Sequence, residues 1–135
     1  MGVEVVTVSC DTKFVHLAWK EHEGSLHDVR YRMGSDPTGT LARQFGVYLD
    51  GAGVALRGSF LIAPDGTLMN SEVNFLNLGR NVQEILRKFK ANLYLARRSG
   101  EGVPAKWAEE GDVTLKVCPR MVGHVAEALE KGGTI

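Results

Sequence analysis

Near its start the chain reads VEVVTVS. Valine falls on both sides of the strand alternation, Val3 and Val5 on one face and Val6 and Val8 on the other. A strand apolar on both faces is expected inside a sheet with helices above and below it. Helical spacing follows at once. Asp11 or Thr12 can cap a helix that puts Phe14, Leu17 and Ala18 on one face and His16 on the opposite flank, with Gly24 as its stop. A short strand over 29–33 leads to a turn at Asp36-Pro37. A short helix then carries Leu41, Ala42 and Phe45 as far as Gly46. The stretch VALRGSFLIAPDGTLMNSEVNF reads as two strands joined by a hairpin turn at Pro64, Asp65, Gly66 and Thr67.

The longest helix is predicted over 81–98, where Val82, Ile85, Leu86, Phe89, Leu93 and Ala96 form one apolar stripe. Beyond Ser99 the pattern changes to glycine and charge with isolated apolar anchors, the signature of an extended arm. Val122, Val125, Ala126 and Leu129 then share the face of a last short helix. Strand, helix, short strand, helix, hairpin, long helix and tail make an α/β layout with helices covering a sheet. The expected division is a core over 1–98 and an arm over 99–135.

Composition narrows the class. Sixteen basic and sixteen acidic side chains leave no net charge among 135 residues, so nothing favours nucleic acid or an anionic membrane. No apolar run reaches the roughly 18 residues of a membrane span, and the start lacks the basic and apolar regions of a signal peptide. Cys10 and Cys118 are too few and too far apart for a disulfide framework. A cytoplasmic location is expected.

Several residues can carry chemistry, each with a plainer reading beside it. Cys10 ends a strand ahead of a helix N-terminus, a place that can activate a thiol, but a small buried hydrophobe fits there as well. Cys118 lies between Lys116 and Arg120 in the tail and reads either as a redox thiol or as an unreactive one. Arg57, flanked by VAL and GSFLI, is expected to be buried, and a buried arginine requires a partner. Arg80 stands at the start of the long helix, where the dipole disfavours positive charge. His16, His22 and His27 lack zinc-site spacing, so no metal or cofactor is expected, and His22 and His27 read as surface residues. Trp19 and Trp107 read as packing anchors and Asp36 as a turn residue.

VEVVTVSCDTKFVHLAW, DPTGTLARQFGVY, GVALRGSFLIAPDGTL, LGRNVQEILRKFKA and PAKW, in that order, resemble the peroxiredoxins of the alkyl hydroperoxide reductase C-subunit type, the typical two-cysteine peroxiredoxins. The resemblance runs from Val3 to about Leu115. It implies a thioredoxin-like α/β fold and thiol-dependent reduction of hydrogen peroxide and alkyl hydroperoxides with the help of a thiol reductant. It also implies a homo-oligomer, with a dimer contact along the edge strand at 72–76.

Two departures matter. The family's peroxidatic cysteine lies in a Pro-x-x-x-Thr/Ser-x-x-Cys motif, and these 135 residues hold no such motif. The family strand and helix that would bring it are expected before Val3, so the sequence resembles a peroxiredoxin shortened at its N-terminus. By the same resemblance the absent strand belongs between 3–9 and 55–62. Those two stretches are then expected to pair directly or to be completed by strands exchanged between chains. The resemblance matches Arg57 and Arg80 to the arginines that orient peroxide and thiolate. The family's resolving cysteine sits just before Pro-Ala-x-Trp, where this chain has Val103, and Cys118 is the candidate for a displaced resolving thiol. The competing reading is a non-catalytic thioredoxin-fold module for interaction or oligomerisation.

Overall fold

The computed structural model describes residues 2–134. They fall into two compact units, 2–59 with 71–79 and 60–70 with 80–134.

In the first unit β1 (Val6–Ser9) runs parallel to β2 (Arg32–Ser35), with Val6 opposite Arg32 and Ser9 opposite Ser35. Parallel neighbours need a crossover. It is supplied by α1 (Lys13–His22) and a 3-10 turn at Gly24–Leu26. Of the two possible caps Thr12 is used: its hydroxyl accepts the Val15 amide at 3.4 Å. Lys20 ties the helix to the returning chain, donating to the Val29 carbonyl at 2.9 Å.

Burial here reverses what the pattern predicts. Val6 and Val8 are 53% and 44% exposed, Phe14 71% and Leu17 57%. Trp19 also lies in solvent, so it does not anchor packing. His16, expected on the polar flank, is buried instead. Its Nε2 lies 2.6 Å from the Ser9 hydroxyl, a bond that turns this face of α1 inward. The apolar faces of β1 and α1 have no covering layer among the described residues.

Asp36 does more than make a turn. It is buried; its amide donates to Ser9 and its carboxylate accepts the Ala42 amide, both at 2.9 Å. Asp36 thus serves one of the unsatisfied amides that open α2 (Thr40–Gln44). The preceding residue Gly39 has φ +67°, and a Cβ there would run into the Tyr48 ring. Tyr48 belongs to β3 (Tyr48–Leu49), which pairs antiparallel with β4 (Val54–Ala55). Arg43 stacks 3.9 Å from that ring's centroid while bonding Asp50 at 2.9 Å.

β5 (Arg57–Ile62) pairs with β6 (Leu68–Asn74), and both strands run from one unit into the other. Their hairpin lies where the sequence puts it. Ala63 donates to Thr67 and Gly66 back to Ala63, each at 2.9 Å. The Thr67 amide on Asp65 holds that carboxyl below its ordinary range. β1 pairs only with β2, and β5 only with β6, among the described residues. The expected direct pairing of 3–9 with 55–62 therefore does not occur among the described residues.

In the second unit α3 (Val82–Leu95) is capped by Asn81, whose side chain accepts the Glu84 amide at 3.1 Å. It ends earlier than the pattern suggests. Ala91 is its buried residue; Ile85, Phe89 and Leu93 are half-buried. Trp107, 2% exposed, packs against Tyr94 with ring centroids 5.5 Å apart. Arg87 fastens the same place, donating to Trp107 O at 2.9 Å and to Glu84 at 2.6 Å. β7 (Glu101–Gly102) and β8 (Leu115–Lys116) form a short antiparallel pair, followed by a 3-10 turn at Pro119–Met121 and by α4 (Val125–Glu130). Met121 and Ala128 are buried there.

Asp36→Ala should leave the Ala42 amide buried without a partner, lowering stability by about 1–3 kcal/mol. Asp50→Ala, which breaks an exposed pair with Arg43, should cost well under about 1 kcal/mol. Urea midpoints of the two variants check the ranking; equal shifts would refute it.

Candidate functional site

Arg57 is the first residue of β5, set beyond the β3–β4 turn by a backbone bond from Leu56 to Val47 O at 2.7 Å. Its side chain is exposed, against the expectation of burial. Nε donates to the Leu76 carbonyl at 2.7 Å, its one hydrogen-bond partner among the described residues. That single bond fixes the plane of the guanidinium and leaves Nη1 and Nη2 able to donate to an anion. Asn74 steadies the same segment, its amide donating to Gly79 O at 3.1 Å. β6 ends at Asn74, and Phe75 beyond it is 65% exposed.

Cys10 lies half-buried between the end of β1 and the Thr12 cap. Burial pushes its thiol up, and the nearby Asp36 carboxylate pushes the same way; a backbone bond from Ala55 opposes them only in part. An activated cysteine needs the reverse, a cationic setting that lowers the thiol. The environment therefore matches the plain reading of Cys10. Around it Ser9 donates to Asp11 at 2.7 Å and meets His16 at 2.6 Å, a structural knot at the strand end. His22 and His27 are exposed and bonded to the backbone carbonyls of Ala18 and Glu21, both at 2.8 Å.

The other candidates belong to the second unit. Arg80 is exposed and stands one residue before the Asn81 cap, outside the helix itself. Val103, at the family's resolving position, lines a cavity of about 220 Å³ with Met69, Arg87, Leu95 and Pro104. Cys118 is a half-buried free thiol whose carbonyl accepts Met121 N at 3.0 Å, opening the 3-10 turn. Among the described residues no three His, Cys, Asp or Glu side chains converge as metal ligands would. No described helix is long and apolar enough to cross a membrane.

Sequence reasoning missed three polar groups that organise these surroundings: buried His16, buried Asp36, and Glu101, which accepts from Tyr94 and Thr114. For Asp36 the signal was present, an acid closely preceding a helix start. For Glu101 none was, because its partners lie on separate elements.

The AhpC/TSA family model matches residues 1–71. Alkyl hydroperoxide reductase C of Amphibacillus xylanus is 43% identical over 93% of this chain and 66% of its own length. The protein of the same name from Staphylococcus aureus (strain N315) is 42% identical over the same shares. This chain thus spans 66% of the length of those curated relatives. Among solved structures, Plasmodium vivax 2-Cys peroxiredoxin in its reduced form aligns with TM-score 0.81 and 30% identity over 92% of this chain and 65% of its own. Enterococcus faecalis AhpC aligns with TM-score 0.71 and 38% identity over 75% of this chain and 60% of its own. The thioredoxin-like peroxiredoxin fold expected from the sequence is therefore borne out. The family match covers more than half of the residues and the identity extends across nearly all of them, so the chain belongs to the AhpC/TSA family.

Proposed function

We propose that this chain provides the arginine-bearing part of a thiol peroxidase that reduces hydrogen peroxide and alkyl hydroperoxides. The nucleophilic cysteine comes from a strand-and-helix segment docked on the bare faces of β1 and α1. The observation that carries the reading is the Arg57 guanidinium, held at Nε by Leu76 and open at both terminal nitrogens. Beside an incoming thiol, that charge favours the thiolate by about 1–3 pKa units. The thiolate attacks one peroxide oxygen, the O–O bond breaks, and the cysteine becomes a sulfenic acid while water or alcohol leaves. Arg57 also stabilises the charge on the departing oxygen. Arg80 assists in the same sense. The Cys118 thiol then condenses with the sulfenic acid, forming a disulfide and releasing water, and an external dithiol reductant restores both cysteines. Family membership and two free cysteines support this, and free thiols suit the reducing cytoplasm.

A second reading, a non-catalytic module for interaction or oligomerisation, is favoured by one observation. Phe14 and Leu17 form an exposed apolar face of α1 on the side away from His16, and such a face marks an interaction surface. The β6 end at 72–76 is the proposed contact of a homodimer.

The chain by itself should bind a hydrophobic dye and elute from a sizing column as more than one copy. A monomer that binds no dye would count against both readings. Reduced chain alone should consume hydrogen peroxide no faster than an ordinary thiol, and Cys10→Ser should leave that rate unchanged. Mixing it with the N-terminal portion of a related peroxiredoxin should raise the rate. Arg57→Ala should remove about tenfold or more of the gain, Arg80→Ala less. Cys118→Ser should preserve the first turnover but prevent the disulfide. Binding of the two pieces without any gain in activity would leave the module reading.

A further inference from the structure

Glu101 opens β7, and its Oε2 accepts from two hydroxyls, Tyr94 on α3 at 2.7 Å and Thr114 just before β8 at 2.9 Å. Its Oε1 lies 4.0 Å from the Arg98 guanidinium, which also reaches Glu110 at 3.7 Å. Lys116 is its cross-strand partner on β8. The Glu101 side chain is 22% exposed, so water competes only in part for these bonds. One oxygen thus joins the last turns of α3, the start of β7 and the entry to β8.

The backbone alone holds these segments weakly. β7 and β8 pair over Glu101–Lys116 and Gly102–Leu115, with one further bond from Val117 N to Gly100 O at 2.9 Å. So short a ladder, closed by a long loop, has little stability of its own. Cys118 directly follows that last bond, half-buried at the start of its 3-10 turn. The Tyr94 ring is also the one packed on Trp107, so the same bond steadies the largest buried side chain of the arm.

We propose that Glu101 is an acid-operated latch: charged, it clamps Tyr94 to Thr114 and keeps Cys118 half-buried, and protonated, it releases the arm and exposes that thiol. The latch concerns access to Cys118 and does not depend on the thiol having a redox role. Tyr94, then Thr114, hold the Glu101 carboxyl below its ordinary range, and Arg98 and Lys116 favour the charged form as well. A lowered carboxyl contributes stability above the unfolded value, about 4.3, and loses it as pH falls through the folded one. The bond to Glu101, and burial after it, raise the Tyr94 phenol. That contribution is present below about pH 10 and is lost only as pH rises through the higher folded value. The latch is therefore closed across the neutral range and opens in acid.

The test uses the full chain and 4,4'-dithiodipyridine, a disulfide reagent that modifies thiols in acid as well as at neutral pH. Peptide mass spectrometry reads Cys10 and Cys118 separately, each rate divided by that of the unfolded chain at the same pH. Between pH 7 and about pH 3, protection of Cys118 should fall about tenfold while that of Cys10, in the other unit, holds. Glu101→Gln should expose Cys118 at pH 7 and flatten its acid dependence. Tyr94→Phe, which keeps the ring on Trp107, should give a smaller rise with the acid step retained. Should Glu101→Gln unfold and expose both cysteines, Tyr94→Phe decides alone, and a rate at pH 7 equal to the parent's overturns the latch. It is equally overturned if Glu101→Gln stays folded with the parent's profile, or if both cysteines of the parent lose protection together in acid.

Discussion

Backbone pairing is the constraint on which this structure turns. Among the described residues β1 has β2 as its one strand neighbour, and a two-stranded ladder of this kind relies on whatever covers or extends it. The side chains repeat the shortage. Val6, Val8, Phe14 and Leu17 have the pattern of an interior and the exposure of a surface. Apolar area in water forgoes roughly 25 cal/mol per Å² of stabilisation, so any segment that covers these faces gains both area and hydrogen bonds.

Polar groups do much of the local ordering that the missing cover cannot. Asp36 bonds the end of β1 and the first turn of α2 while itself buried. His16 closes α1 onto Ser9, Arg43 joins Asp50 and the Tyr48 ring, and Asn81 and Thr12 cap their helices. In the second unit Arg87, Glu84 and Trp107 form a comparable knot. Such bonds add only about 0.5–1.5 kcal/mol each, yet breaking one strands a buried partner at a larger cost.

The two thiols have different settings, and that difference bears on function. Burial and then Asp36 push the Cys10 thiol up, away from the thiolate form that reactivity needs. Cys118 lies in an arm held by a few side-chain bonds, where a modest change in charge alters access. Arg57 presents the opposite case, a cation oriented by the Leu76 carbonyl, with no carboxylate bonded to it among the described residues. A nucleophile brought beside it would meet an oriented charge, the arrangement that makes electrostatic catalysis effective.

The sequence by itself determined the family, the order of the main helices and strands, a helix cap at 11–12, and the Asp65-Gly66 hairpin. All of these depend on residues close together in the chain, where spacing and turn chemistry decide the outcome. Tertiary structure decided which faces are covered. Periodicity shows that Phe14 and Leu17 share a face but not whether anything lies on it, so the pattern that predicted burial found solvent instead. The same holds for His16, drawn inward by a hydroxyl seven residues away, and for Arg57, left exposed on a strand that reads as interior. The meeting of Tyr94, Glu101 and Thr114 had no sequence signal, because a helix, a strand and a loop must first be packed before their side chains can share one oxygen.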